Sequence, residues 1–494
     1  MSSVKATQGL LHEEAPIFAQ STPGRSGASL PPIDVPSVPA SERWPAALRR
    51  KTPPLLPEVS EPQVVRHYTR LSQWNFCIDT GTYPLGSCTM KHNPKIADVA
   101  VSLPGFASLH PYQPDDGLQG ALAVMHELEQ MLASVGGFSR VTLQPAAGAH
   151  GELCGLMMMR AYLLDQRRTR RKVLIPDSAH GTNPASCTLN GFEVVQLPTS
   201  DDGCLDLDTV RAAIDDEIAA IMITNPNTLG LFETQIGEIA ELVRRAGGLV
   251  YMDGANLNAI MGKFLPGSIG VDAMHFNLHK TFGTPHGGGG PGAGPVGISE
   301  RLVPFMPVPT VEREGDRYRL DYQREKSIGR LRSFFGNVGV LLRAWVYLRE
   351  QGAAGLERVT EMAVLNANYL RTQLREVLHV PFPDRCMHEV ICSDRDLKQE
   401  GVTTMDVAKR LIDHGIHPPT VYFPLVVQGS LMIEPTETET PAELDDLVEA
   451  LRAILAEAKT DPDRLHQAPT LTARSRLDEA QAARKPRLRY TRNP

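Results

Sequence analysis

The segment His275–Gly297, HFNLHKTFGTPHGGGGPGAGPVG, carries the densest set of chemically useful residues in the chain. An apolar run closes on Asn277-Leu278-His279-Lys280, Thr281 follows, and four consecutive glycines occupy 287–290. A lysine just past a strand end, beside small residues, can approach a bound ligand, and its amine can form a Schiff base with an aldehyde cofactor. Consecutive glycines let backbone amides approach an anion and permit positive φ. Most lysines simply sit on the surface, so Lys280 alone decides nothing. Twenty-seven residues upstream, Tyr251-Met252-Asp253-Gly254-Ala255-Asn256 ends another apolar run. A carboxylate at Asp253 can keep a ring nitrogen protonated and make that ring an electron sink. An aspartate after a strand is just as often a helix N-cap. Ala255 is small enough for a flat ring to lie against it.

Two further segments have similar placement. In Gln144–Glu152, QPAAGAHGE, small residues lead from a strand into a helix, whose free first amides suit a phosphate. No Walker lysine or GxGxxG accompanies them, and a plain tight turn reads the same way. In Pro176–Asn183, His180 follows a strand end and can stack on a flat ring, although a polar loop histidine is the commoner case. All four segments fall at strand ends on one predicted edge. Their joint occurrence carries more weight than any one of them.

The elements that must hold these residues read as alternating strands and helices. Strands are expected at Val141–Gln144, Lys172–Pro176, Glu193–Leu197, Ile218–Thr224, Leu249–Met252 and Ala273–Leu278. Helices fall between them, over 117–137 and ending at Gly136-Gly137, from about His150, and at Gly237–Arg245. The pattern predicts an α/β fold, a mostly parallel sheet with helices on both faces and a site at the strands' carboxyl ends. Two helices, 336–350 and 354–379, then lead into a smaller α/β region. The expected division is an extended Pro-rich arm (1–60, ten prolines), a large domain (61–330), a small C-terminal α/β domain (331–460) and a charged tail (461–494). Composition favours a disordered tail for 1–60; an arm wrapping a partner is the other reading.

Fifty Lys+Arg against 57 Asp+Glu give a net charge of -7, which argues against a coat for nucleic acid. No apolar run approaches the ~20 residues of a membrane span. The seven scattered cysteines contain no CxxC pair, so neither a disulfide framework nor a zinc site is expected, and a reducing, cytoplasmic location fits. The first residues show no targeting pattern. The basic run 167–172 reads as a solvated loop.

Several strings resemble the P-protein of the glycine cleavage system: PLGSCTMKHNPK (84–95), QPAAGAHGE (144–152), PDSAHGTNPAS (176–186), TNPNTLGLFE (224–233), DGANLNAI (253–260), HFNLHKTFGTPHGGGGPG (275–292) and EPTETET (434–440). PGRSGASLPPIDVP (23–36) resembles it too, and the likeness spans roughly 20–460. The length matches the C-terminal, lysine-bearing half of the split form, subunit 2. The resemblance implies a fold-type-I, pyridoxal 5'-phosphate-dependent enzyme, an oxidoreductase that decarboxylates glycine and passes the aminomethyl group to the lipoyl disulfide of the H-protein. It implies an α2β2 assembly with a related subunit 1. Carried over, Lys280 would bind the cofactor aldehyde, Asp253 would pair with the pyridine nitrogen, and His180 and Ala255 would flank the ring. Ala147, Gly148 and Ala149 would hold the phosphate, with Thr281, Gly288 and Gly289 completing the cofactor contacts. His279, Thr89 and Asn225 would be substrate-side groups. The sequence departs from the family pattern at His92 and Gly283, where tyrosine and serine are usual. The rivals are another fold-type-I decarboxylase or aminotransferase, and a non-catalytic scaffold, which would need neither Lys280 nor Asp253.

Overall fold

The computed structural model describes residues 14–52, 54–286 and 292–491. They form two compact units, one of 78–411 and 416–466, the other of the remaining described residues.

The larger unit is built on a seven-stranded sheet. Its strands are β1 (Arg140–Thr142), β2 (Lys172–Pro176), β3 (Glu193–Leu197), β4 (Ile218–Thr224), β5 (Leu249–Gly254), β6 (Ala273–Phe276) and β7 (Val296–Ile298). Their order is β1-β7-β6-β5-β4-β2-β3, with only β7 running against its neighbours. β4, β5 and β6 are buried along their whole length. Such unbroken apolar strands belong in a parallel sheet covered on both faces. One face packs into a core with Leu128, Leu132, Ile221, Met252 and Phe276, and the other into a core with Leu156, Met158, Val173 and Tyr251. Among the described residues no helix is long and apolar enough to cross a membrane.

β2, β3 and β4 take the bounds expected of them, and two other bounds shift in ways that matter. β5 runs on to Gly254, so Asp253 lies within the strand. β6 stops at Phe276, and Leu278–Thr281 forms one helical turn that carries Lys280. The amides of Lys280 and Thr281 both bond the Asn277 carbonyl, curling the chain before it can continue the strand. Helix Gln119–Gly136 ends as read, on Gly137 with φ 74°.

After a hairpin, β8 (Thr310–Glu314) and β9 (Arg317–Asp321), a helix runs from Val338 to Leu374. Gly352, with φ 61°, interrupts it between the two predicted helices. A second sheet of β10 (Val390–Ser393), β11 (Thr420–Val421) and β12 (Ser430–Ile433) has the antiparallel order β10-β12-β11. It shares a separate core with helix Pro441–Thr460, whose capping box joins Thr440 and Glu443. Segment 85–89 crosses β12. Leu85 bridges Ile433, and a Cβ on Gly86 would run into the Met432 side chain and carbonyl.

In the smaller unit, helix Glu61–Ser72 is capped by Ser60 and Gln63. Its His67 Nδ1 lies 2.8 Å from the buried Glu14 carboxylate, which also accepts from Arg70. The Thr470 and Leu471 amides bond the Asp413 carboxylate.

Candidate active site

A cavity of about 180 Å³ opens at the carboxyl ends of β1, β2, β4, β5 and β6. Gly148, Ala149, His180, Asp253, Ala255, His279 and Lys280 all line it. The sequence named each of these, and the parallel sheet brings them to one edge.

Asp253 is the best-determined group. Parallel register sets it beside His275 on β6, and His275 Nε2 lies 3.2 Å from Asp253 Oδ1. Asn183 Nδ2 donates to Oδ2 at 3.0 Å, and the Ala255 amide to Oδ1 at 2.9 Å. Burial alone would raise this carboxyl, but the His275 charge and these hydrogen bonds hold it well below the usual carboxylate range. Burial would likewise lower His275, and the Asp253 charge raises it above its ordinary value. The two form a buried ion pair. Tyr251 Oη, 2.9 Å from His275 Nδ1, occupies the ring's other nitrogen. Gly254 is required here, because a Cβ would meet the His275 carbonyl oxygen on the neighbouring strand.

Lys280 is half-buried, and its Nζ donates to the Ser87 carbonyl at 2.9 Å. Ser87 has φ 62°, in the left-handed region. Helix Gly148–Asp165 opens with no side-chain cap, and its first residues Gly148 and Ala149 face the cavity. An 18-residue helix presenting uncapped amides there offers a phosphate subsite. His180 is exposed over the cavity, with its Nδ1 accepting from the Thr182 amide at 3.2 Å. Thr182 Oγ1 donates in turn to Glu152 at 2.7 Å. The Thr224 hydroxyl lines the cavity and is a buried group without a partner.

The histidines beside Lys280 are neutral. Burial first, then the neighbouring His286 ring and the Lys280 charge, push His279 down to about 3. Burial and Lys280 push His286 to about 4. His286 Nε2 lies 3.4 Å from Cys88, whose thiol burial pushes up.

Other expected groups lie elsewhere. Thr281 is fully buried off the cavity, where its carbonyl accepts from Lys91 at 2.9 Å. Ala147 caps the helix and does not line the cavity. Asn225 is buried against Glu233, whose amide donates to Oδ1 at 3.0 Å, so its side chain closes a loop and is not part of the cavity lining. Thr89 is buried and donates to Glu434. Gly288 and Gly289 lie outside the described residues. A larger cavity of about 630 Å³, lined by Phe232, Phe264, Val364 and Met387 among others, has none of these groups. Chemistry, and not volume, picks out the smaller one.

One relative comes from Caldanaerobacter subterraneus subsp. tengcongensis. It is 54% identical over 477 residues, covering 96% of this chain and 98% of its own, and is described as a probable glycine dehydrogenase (decarboxylating) subunit 2. A protein of the same description from Halalkalibacterium halodurans is 53% identical, covering 97% and 98%. This chain belongs to the glycine dehydrogenase (decarboxylating) subunit 2 family. Within it, the profile of the glycine dehydrogenase C-terminal domain matches 359–471, and that of class-V aminotransferases matches 154–306. A crystal structure of an inhibitor-bound glycine decarboxylase P-protein superposes with a TM-score of 0.71 at 22% identity, covering 84% of this chain and 94% of that one. A cysteine desulfurase from Escherichia coli superposes with a TM-score of 0.60 at 17% identity, covering 78% and 97%. The fold is that of the fold-type-I enzymes. For this subunit 2 chain, sequence reasoning missed His275, Tyr251, Asn183, Thr224 and Ser87. Only His275 left a trace: it stands on the strand next to Asp253, and the β5–β6 register, once known, makes them neighbours.

Proposed function

We propose that this chain is the lysine-bearing subunit of a glycine-cleaving decarboxylase, and that the cavity at the sheet's carboxyl edge is its active site. Its cofactor is pyridoxal 5'-phosphate. The donor set fits that group at both ends: uncapped helix amides for a phosphate and a buried, anionic Asp253 for a protonated ring nitrogen. When bound, the cofactor supplies a conjugated cation that takes up the electrons left as glycine loses carbon dioxide.

The residues divide the remaining work. Lys280 supplies the amine that tethers the aldehyde, and when detached it rests its proton-bearing Nζ on the Ser87 carbonyl, 2.9 Å away. The ion pair with His275 keeps Asp253 charged, and Asn183 and the Ala255 amide fix its two oxygens. Gly148 and Ala149 anchor the phosphate end. Of the other lining residues, His180 would cover one face of the ring and Ala255 would leave room against the other. His279, held neutral by burial and the Lys280 charge, acts as a hydrogen-bonding group beside the amine. The acceptor of the one-carbon unit is the lipoyl disulfide of a carrier protein, and the working assembly is an α2β2 complex with a related subunit 1.

The observation that carries the reading is the convergence of Lys280, Asp253 and an uncapped helix start on one cavity in a chain of this family. The test is exchange of labelled bicarbonate into the glycine carboxyl group. The mixture contains pyridoxal phosphate and oxidised lipoyl carrier, with and without the related subunit. Exchange that needs the subunit and vanishes in Lys280→Ala is expected. No exchange, with a cofactor–lysine chromophore still present, would instead favour another fold-type-I decarboxylase or an aminotransferase.

A further inference from the structure

Against the Ser87 turn, and outside the cavity lining, lie three fully buried groups that the decarboxylation chemistry does not use. They are His388, Glu389 at the start of β10 and Glu434 at the end of β12. A ligand atom of each lies within 4.8 Å of the others. Each carboxylate spends one oxygen on the turn. Glu389 Oε2 accepts from the Ser87 amide at 3.0 Å, and Glu434 Oε1 accepts from the Thr89 hydroxyl. Their second oxygens, Glu389 Oε1 and Glu434 Oε2, have no hydrogen-bond partner, and neither do the two nitrogens of His388. His388 Nε2 stands 3.9 Å from Glu389 Oε1. On the other side of the turn Lys280 donates to the Ser87 carbonyl, and no carboxylate pairs directly with its ammonium among the described ion pairs.

Two full negative charges this close, out of water, are strongly disfavoured, and one proton relieves the pair. The charges facing it are Lys280, Lys91 and Glu437, with the Cys88 thiol and neutral His388 nearby. Burial pushes His388 to about 3, so it adds no positive charge. A metal ion would use the same donors, yet it would have to sit beside two ammonium groups. A proton adds the smallest charge that satisfies the pair.

We propose that Glu389 and Glu434 carry one proton between them, hold the Ser87 turn in place, and supply the single buried negative charge that balances Lys280 when its amine is off the cofactor. They are positioning residues, acting on Lys280 through Ser87 and through their field. Burial pushes both carboxyls up, with Glu389 driven well above the usual carboxylate range and Glu434 to about 7, so the pair is singly charged in weakly alkaline solution. The inference rests on the proposed function only for Lys280 being the amine that is released.

The test reads Lys280 itself. The full-length chain, freed of cofactor, is treated with a limiting amine-reactive reagent across the lysine titration range, and mass spectrometry follows the Lys280 peptide. Glu389→Gln keeps the hydrogen-bond acceptor and leaves Glu434 charged, so its Lys280 midpoint should match the wild type. Glu389→Gln/Glu434→Gln removes the charge, and the midpoint should fall by about one pH unit or more, roughly tenfold more free amine at a given pH. Infrared difference spectra of the wild type against Glu389→Gln need no folded double variant, and at about pH 8 they should show one protonated carboxyl lost. The inference is overturned if the double variant leaves the midpoint unmoved, if Glu389→Gln shifts it as far as the double, or if no protonated carboxyl is found. One equivalent of metal in the wild type that the double variant lacks would overturn it too. Bicarbonate exchange is scored separately: exchange without a Lys280 shift sinks only this inference, and a shift without exchange sinks only the proposed function.

Discussion

Replacing Lys91 by methionine removes a buried ammonium around which four parts of the chain are tied. Lys91 Nζ donates to Glu437 Oε1 at 2.6 Å, to Asn258 Oδ1 at 2.6 Å and to the Thr281 carbonyl at 2.9 Å. The side chains of Lys91 and Glu437 are 1% and 8% exposed. Removing one partner from such a pair costs ~3–5 kcal/mol, because the other charge stays buried without its counter-ion. Asn258 Nδ2 at 3.5 Å and Tyr347 Oη at 3.4 Å still reach Glu437, which places the expected loss near the lower end of that range, about 3 kcal/mol. Every 1.4 kcal/mol is a factor of ten, so the unfolding equilibrium should shift by ~10²-fold. Urea unfolding of the holo-protein with its slope held common measures it. The informative comparison is Lys91→Met/Glu437→Gln, which removes both charges and should recover most of the loss, leaving ~1 kcal/mol for hydrogen bonds. A loss below ~1 kcal/mol in Lys91→Met, or a double variant no more stable than the single, would refute the claim that this ion pair carries the junction. Because Thr281 follows Lys280 directly, Lys91→Met should also slow the bicarbonate exchange at saturating glycine.

Asp253→Asn should abolish the buried ion pair, leaving burial and Lys280 opposed only by Glu152 at His275. Ring NMR should then place the His275 pKa below its ordinary value instead of above it, with exchange activity falling ~10²-fold or more. The raised Glu434 carboxyl has a stability signature. The folded chain holds a proton that the unfolded chain has released, so stability should fall as pH rises from the unfolded carboxyl value of 4.5 through about 7. Glu434→Gln should flatten that slope, and equal slopes in the two proteins would contradict it. Gly254→Ala pushes a Cβ into the His275 carbonyl and should leave little folded protein on expression. Gly237→Ala, in a helix with open space around it, should raise stability by up to ~1 kcal/mol in thermal unfolding.

What the sequence made legible followed local rules. Strands β2 and β4 were readable because apolar runs between turn residues leave one interpretation, β3 because Val194, Val195 and Leu197 stand between turns, and the break near Gly352 because two helical stretches, 336–350 and 354–379, stand apart there. Lys280, Asp253, His180, Gly148 and Ala149 could be named together because a parallel sheet delivers the residue after each strand to the same edge, whatever the strand order. Pairing across strands obeys no such rule. His275 acquires meaning only from its register opposite Asp253, and Tyr251 only from its hydroxyl reaching His275 on the neighbouring strand. Asn225 shows the converse error. It stands at the correct edge, yet its side chain turns back to bond Glu233, and no periodicity encodes that turn. The motifs at 84–95 and 434–440 were recognisable as strings without a physical role. Their role appears once β12 brings Glu434 against Thr89 and the loop after it brings Glu437 against Lys91. Residues some 345 positions apart in sequence thereby come together beside the turn that holds Lys280, the lysine that the proposed reaction must detach and recapture. A buried charge is tolerated only where its counter-charge is already in place. The C-terminal region therefore supplies Glu437, without which Lys91 would be an unpaired cation in the interior, and under the inference above it supplies the charge for a detached Lys280 as well.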